Sequence, residues 1–144
     1  MTANGQNGNA DPSALTSGAD QTYFEGLMKG EVRIQFCARC RKYRWPAVFH
    51  CPDCGSWDHV WKPVSPKGKI YSWTRTWHTF AGADAFEPPF VSIVVSLEEI
   101  PAVRLLGVLE GDEQNLATGA KVSGKAHKIT VNGTVIPALS WTLD

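Results

Sequence analysis

Two short cysteine pairs constrain this chain more than any other feature. CARC at 37–40 and CPDC at 51–54 use all four cysteines, Cys37, Cys40, Cys51 and Cys54, with ten residues between the pairs. In a chain that reads as cytoplasmic, two CxxC turns argue for tetrahedral thiolate coordination of one zinc ion per chain rather than for disulfides. Each turn presents two sulfurs at about 2.3 Å from a shared ion. Four thiolates leave no open coordination position, so the expected site is structural, not catalytic. His50, beside Cys51, is the spare candidate ligand, and a bystander imidazole is the plainer reading. Two paired knuckles also count against a redox CxxC.

Lys29, Arg33, Arg39, Arg41, Lys42 and Arg44 crowd around the first knuckle, opposed there by Glu31 alone. Such a cluster can hold phosphates or an acidic partner, and Arg39, Arg41, Lys42 and Arg44 are the candidates. It can equally serve the metal, since zinc with four thiolates carries a charge of about −2 and favours nearby cations.

Three segments follow from patterning. Residues 1–19 are small, polar and rich in Gly and Asn, with too little apolar surface to offset the entropy of ordering, and are expected to be a disordered tail. Residues 20–63 hold a short helix, with Tyr23, Phe24, Leu27 and Met28 on one stripe and Gly30 as its stop, and the cysteine ribbon. That stripe is either a lid on the neighbouring module or a partner-facing surface.

Residues 64–144 read as five strands, at 70–77, 90–97, 103–109, 120–127 and 135–143, the last carrying Pro137 and so placed at an edge or bulge. Turns at Gly68, Pro101, Gly111, Gly119 and Asn132-Gly133 separate them and suit a small five-stranded Greek-key barrel of the oligonucleotide/oligosaccharide-binding (OB) type. The fold class is therefore mainly β: a helix, a rubredoxin-like zinc ribbon and an OB barrel. Strict alternation in the first strand would put Tyr71, Trp73, Arg75 and Trp77 on one face and Ile70, Ser72, Thr74 and Thr76 on the other. Those rings could stack bases or fill the barrel. The loop at 78–89 is too long for a tight hairpin, and its Phe80 and Phe86 either fold back on the core or face a partner.

Composition narrows the function classes. Fourteen Lys and Arg balance fourteen Asp and Glu, so no gross charge points to nucleic acid. No apolar run approaches the roughly 20 residues of a membrane helix, and the N-terminus lacks signal-peptide architecture. No GxSxG, GxGxxG, P-loop or HExxH occurs, the four histidines are scattered, and no cysteine is left over, so no catalytic residues can be assigned.

The succession YFEGLMKGEVRIQFCARCRKYRWPAVFHCPDCGS, then GKIYSWTRTWH, then PPFVSIVVSLEEIPAVRLLGVLEG, resembles the DUF35 family over about residues 23–141. The resemblance implies a zinc-ribbon plus OB-fold accessory subunit that binds thiolase-fold enzymes acting on acyl-CoA, as in steroid side-chain or aromatic breakdown. Its partner, a thiolase or an aldolase, would supply the catalytic groups, while this chain stabilises that partner and helps shape its acyl-CoA site. Carried over by position, the metal ligands are Cys37, Cys40, Cys51 and Cys54. The expected partner surface is the helix residues Tyr23, Phe24 and Leu27 with the loop residues Phe80 and Phe86. The competing reading is a stand-alone nucleic-acid-binding ribbon/OB module, which the zero net charge disfavours.

Overall fold

The computed structural model describes residues 18–144. The tail expected over 1–19 thus lies outside the described residues but for Gly18 and Ala19, which lead into the helix. Helix α1 (Gln21–Met28) buries Tyr23, Gly26 and Leu27 along one stripe. It stops where Gly30 takes φ 80°, a left-handed conformation that costs a glycine little. No helix among the described residues is long and apolar enough to cross a membrane.

The ribbon is a three-stranded antiparallel sheet in the order β2-β1-β3, from β1 (Arg33–Cys37), β2 (Tyr43–Arg44) and β3 (His59–Pro63). β1 is its centre, with Ile34, Gln35, Phe36 and Cys37 all buried. The Gln35 side chain is 1 % exposed, yet its amide is satisfied: it donates to the Val48 carbonyl at 2.8 Å and accepts the Val48 N–H at 3.0 Å. That clamp fixes the segment leading to the second knuckle, so a buried polar side chain here orders a loop without an unpaired group.

The remaining strands are β4 (Lys67–Thr76), β5 (Phe90–Leu97), β6 (Arg104–Leu109), β7 (Lys121–Val131) and β8 (Thr134–Leu143). They close into a barrel in the order β4-β5-β6-β8-β7, with β6 and β8 parallel and every other pairing antiparallel. This is the expected OB-type closure, which leaves no free edge through the barrel wall. β5 shows why the sequence folds this way: Val91, Ile93, Val95 and Leu97 point into the core and the residues between them point out. Each such fully buried aliphatic chain contributes about 1.5–3 kcal/mol relative to exposure.

Trp141 fills the barrel and is 0 % exposed. Glycines on the two flanking strands make its slot. A Cβ at Gly107 of β6 would stand 2.7 Å from the indole, and one at Gly124 of β7 would stand 2.8 Å from it. Beyond the barrel wall β7 and β8 continue as a hairpin closed by Asn132 (φ 49°) and Gly133 (φ 78°), the positive-φ pair of a type I′ turn. Pro137 sits on this extension, opposite Lys128 of β7 and past the two residues of β8 that pair with β6, so its missing N–H breaks no ladder there.

Several expectations change. Gly68, expected as a turn, lies inside β4 opposite Leu97, where a Cβ would stand 2.2 Å from the Ser96 carbonyl oxygen, so its glycine serves close strand packing. A β-bulge between Ile70 and Ser72 resets the alternation of β4, so Ile70, Trp73 and Arg75 oppose Val95, Ile93 and Val91 on one face, where Ile70 is buried and Trp73 remains exposed. Tyr71 is the extra residue and is half exposed, with the Arg104 guanidinium 3.7 Å above its ring. A further change concerns α1. Tyr23 and Leu27, expected on a partner surface, are 4 % and 2 % exposed, because the helix lies against β1, β7 and β8 with these side chains in the shared core. Tyr23 also packs on Trp45 of the ribbon at 4.2 Å between centroids, tying the two sheets together. Burial pushes its hydroxyl pKa well above the usual tyrosine value.

Candidate metal centre

The two knuckles are built alike. The Cys37 N–H donates to the Lys42 carbonyl and the Cys37 carbonyl accepts from Arg41. The Cys51 N–H donates to Ser56 and the Cys51 carbonyl accepts from Gly55, all at 2.8–2.9 Å. Each turn closes on a positive-φ residue, Arg41 at 58° and Gly55 at 72°. The repeated geometry aims all four thiols at one point.

The four sulfurs lie within 4.8 Å of one another. Cys37 and Cys54 are 3.6 Å apart, as are Cys40 and Cys51. A disulfide needs about 2.05 Å, whereas the edge of a tetrahedron with 2.3 Å metal–sulfur bonds is about 3.8 Å, so the spacing fits a tetrahedral ion. All four cysteines expected as ligands are brought together. His50 instead faces Trp57, with ring centroids 5.2 Å apart, and is not among the clustered donors.

Electrostatics around the centre favour the thiolate at Cys37 and Cys51. The Arg44 guanidinium lies 3.4 Å from the Cys51 sulfur and 3.9 Å from that of Cys40, and it pairs with Asp53. Lys42 reaches Asp53 at 3.1 Å. The Cys40 N–H lowers the Cys37 pKa. Burial pushes Cys51 up, but N–H groups of Cys54 and Asp53, with Cys40 and Arg44, carry it down to about 6. Burial and shared hydrogen bonds with Cys37 and Cys51 push Cys40 up to about 11. Arg44, then Lys42, hold the Asp53 carboxyl below its usual range. A dication here would replace the protons the thiols share, with Arg44 offsetting the net negative charge.

Of the four residues expected to bind phosphate, Arg44 and Lys42 are thus engaged at the metal centre, while Arg39 and Arg41 are exposed on the first knuckle. Of the expected partner residues outside the core, Phe24 is half-buried against Tyr23. Phe80 is 58 % exposed, and Phe86 is half-buried against Phe90 at 5.3 Å. Sequence reasoning did not single out Phe49 and Trp57, which are 62 % and 69 % exposed beside the second knuckle. Both are large aromatics in irregular segments on either side of the CPDC pair, outside any strand.

Comparison with known proteins gives matches of three kinds: a family model, a curated relative and solved structures. Residues 61–126 match the family model described as the ChsH2 C-terminal OB-fold domain. A probable enoyl-CoA hydratase alpha subunit of Thermomonospora curvata is 35 % identical over 89 residues, 62 % of this chain. The chain spans only 27 % of that relative's length. Among solved structures, an Ltp2-ChsH2(DUF35) aldolase chain superposes with a TM-score of 0.71 at 27 % identity, covering 86 % of this chain and 93 % of that one. A DUF35 protein of unknown function from Sulfolobus solfataricus shares the fold, with a TM-score of 0.59 at 19 % identity, covering 92 % and 90 % of the two chains. The match to the ChsH2 OB-fold domain over residues 61–126, the superposition on the Ltp2-ChsH2(DUF35) aldolase chain and the four metal-positioned cysteines of the ribbon together support the DUF35 family for this chain.

Proposed function

We propose that this protein is the non-catalytic, zinc-holding subunit of a hetero-oligomeric acyl-CoA enzyme, stabilising a thiolase-fold catalytic partner and helping shape its acyl-CoA site. The observation that carries this reading is the superposition, over nearly the whole of both chains, on the ChsH2(DUF35) component of an aldolase. The match to a subunit of a probable enoyl-CoA hydratase places a second relative among acyl-CoA enzymes. Zinc is the metal of choice for four thiolates in a closed site, because a soft tetrahedral donor set without an open position suits a structural ion.

The partner surface follows from what α1 leaves uncovered. Tyr23 and Leu27 hold the helix in place, while Phe80 and Trp77 in the loop after β4 remain exposed. Stable heteromeric interfaces rest on a few aromatic or Arg anchors that become buried on assembly. Phe80→Ala is expected to weaken assembly by on the order of 1–3 kcal/mol while leaving metal content unchanged. Pull-down titration of the co-expressed catalytic partner measures this. Persistence of the complex at high salt with negligible affinity for single-stranded oligonucleotides supports the subunit reading. Salt-sensitive oligonucleotide binding with no protein partner would promote the nucleic-acid module instead.

A further inference from the structure

On the outer wall of the barrel, β4 and β7 pair with Lys69 directly opposite Lys121 and with Lys67 opposite Ser123. Like charges facing each other across a strand pair repel and destabilise the sheet. None of the three lysines forms an ion pair with a carboxylate among the described residues. All three line one open cavity of about 530 Å³ at the end of the barrel, and none of the four cysteines lines it. Two acidic residues, Glu98 and the last residue Asp144, line it as well, neither within ion-pair distance of the lysines. Asp144 accepts the Ser123 hydroxyl at 2.7 Å.

We propose that this cavity binds a phosphate-bearing ligand of nucleoside-diphosphate size, with its phosphates seated among Lys67, Lys69 and Lys121. Three considerations converge. An anion between the ammonium groups turns an unfavourable cross-strand pair into a favourable three-body contact. Lysine binds phosphate as a point charge, without needing the planar geometry an arginine requires. The volume falls within the range of small-molecule sites and exceeds what one phosphate would fill, and Pro101 supplies an apolar rim for the rest of the ligand. The proposal does not rest on the subunit reading.

Calorimetric titration of the metal-loaded full chain with ADP, and separately with pyrophosphate, tests it. ADP is expected to bind with one site per chain, more weakly as salt rises, and to raise the Tm. Lys69→Met and Lys121→Met should each weaken ADP at least tenfold. In the absence of ligand Lys121→Met should keep or raise the Tm, because it removes the repulsion, and this doubles as the control for folding. Equal binding of pyrophosphate and ADP assigns the site to a free diphosphate, and tighter ADP assigns it to a nucleotide ester. No saturable binding of either ligand at millimolar concentration, or undiminished binding by the folded Lys69→Met/Lys121→Met double variant, overturns the proposal.

Discussion

Cys51→Ser is expected to abolish stoichiometric metal binding and to leave the ribbon unfolded. The apparent binding free energy of a structural zinc site is about 10–16 kcal/mol, and in a small module it is also folding free energy. The ribbon has little else: β2 has two residues, and its sheet has only three strands. Cys51 is buried, faces Arg44, and anchors the second knuckle through its own N–H and carbonyl. Losing its thiolate therefore removes a metal bond and leaves the Arg44 charge without one of its sulfur partners. Elemental analysis of purified protein should give close to one zinc per chain for the parent and almost none for the variant, most of which should be insoluble. A soluble Cys51→Ser protein with full metal content would contradict this account of the centre.

Trp141→Ala should destabilise the barrel by about 3–5 kcal/mol, the usual cost of emptying a large aromatic site in a packed core. The slot cannot collapse easily. Its walls are the glycine backbones of β6 and β7, and a Cβ at Gly107 would also stand 2.4 Å from the Leu139 carbonyl oxygen. Trp141→Phe should cost clearly less. It keeps a ring in the slot and removes a buried indole N–H that has no hydrogen-bond partner among the described residues. Urea unfolding monitored by circular dichroism measures both. Equal stability of the parent and the Ala variant would show that the slot is not tightly packed.

What the sequence made legible was whatever depends on local pattern. Four thiols at CxxC spacing, the apolar β run that places β5 at Phe90–Leu97, and the Asn132-Gly133 turn are properties of neighbouring residues, and each stands in the structure as expected. Features set by distant segments were harder to read. The apolar stripe of α1 was visible, but its cover, the β7–β8 hairpin, lies about a hundred residues away, so Tyr23 and Leu27 read equally well as a partner surface. The bulge at Tyr71 leaves no local mark in IYSWTRTW, whose alternation runs through it unbroken, and it moves Trp73 and Arg75 to the face of Ile70. The basic cluster posed the same problem. Only the fold brings Asp53 back beside Lys42 and Arg44 and so separates the cations that serve the metal from Arg39 and Arg41. The Lys69–Lys121 juxtaposition likewise depends on which strand pairs with β4.

The central claim is that this chain supports chemistry performed by another subunit. Its most direct test is acyl-CoA turnover, aldol cleavage or hydration, by three preparations: this chain alone, its catalytic partner alone, and the reconstituted complex. The account predicts no turnover by this chain, low or unstable activity of the partner, and robust activity of the complex. Robust turnover by this chain free of any partner, or a partner whose activity and stability are indifferent to its presence, would contradict it.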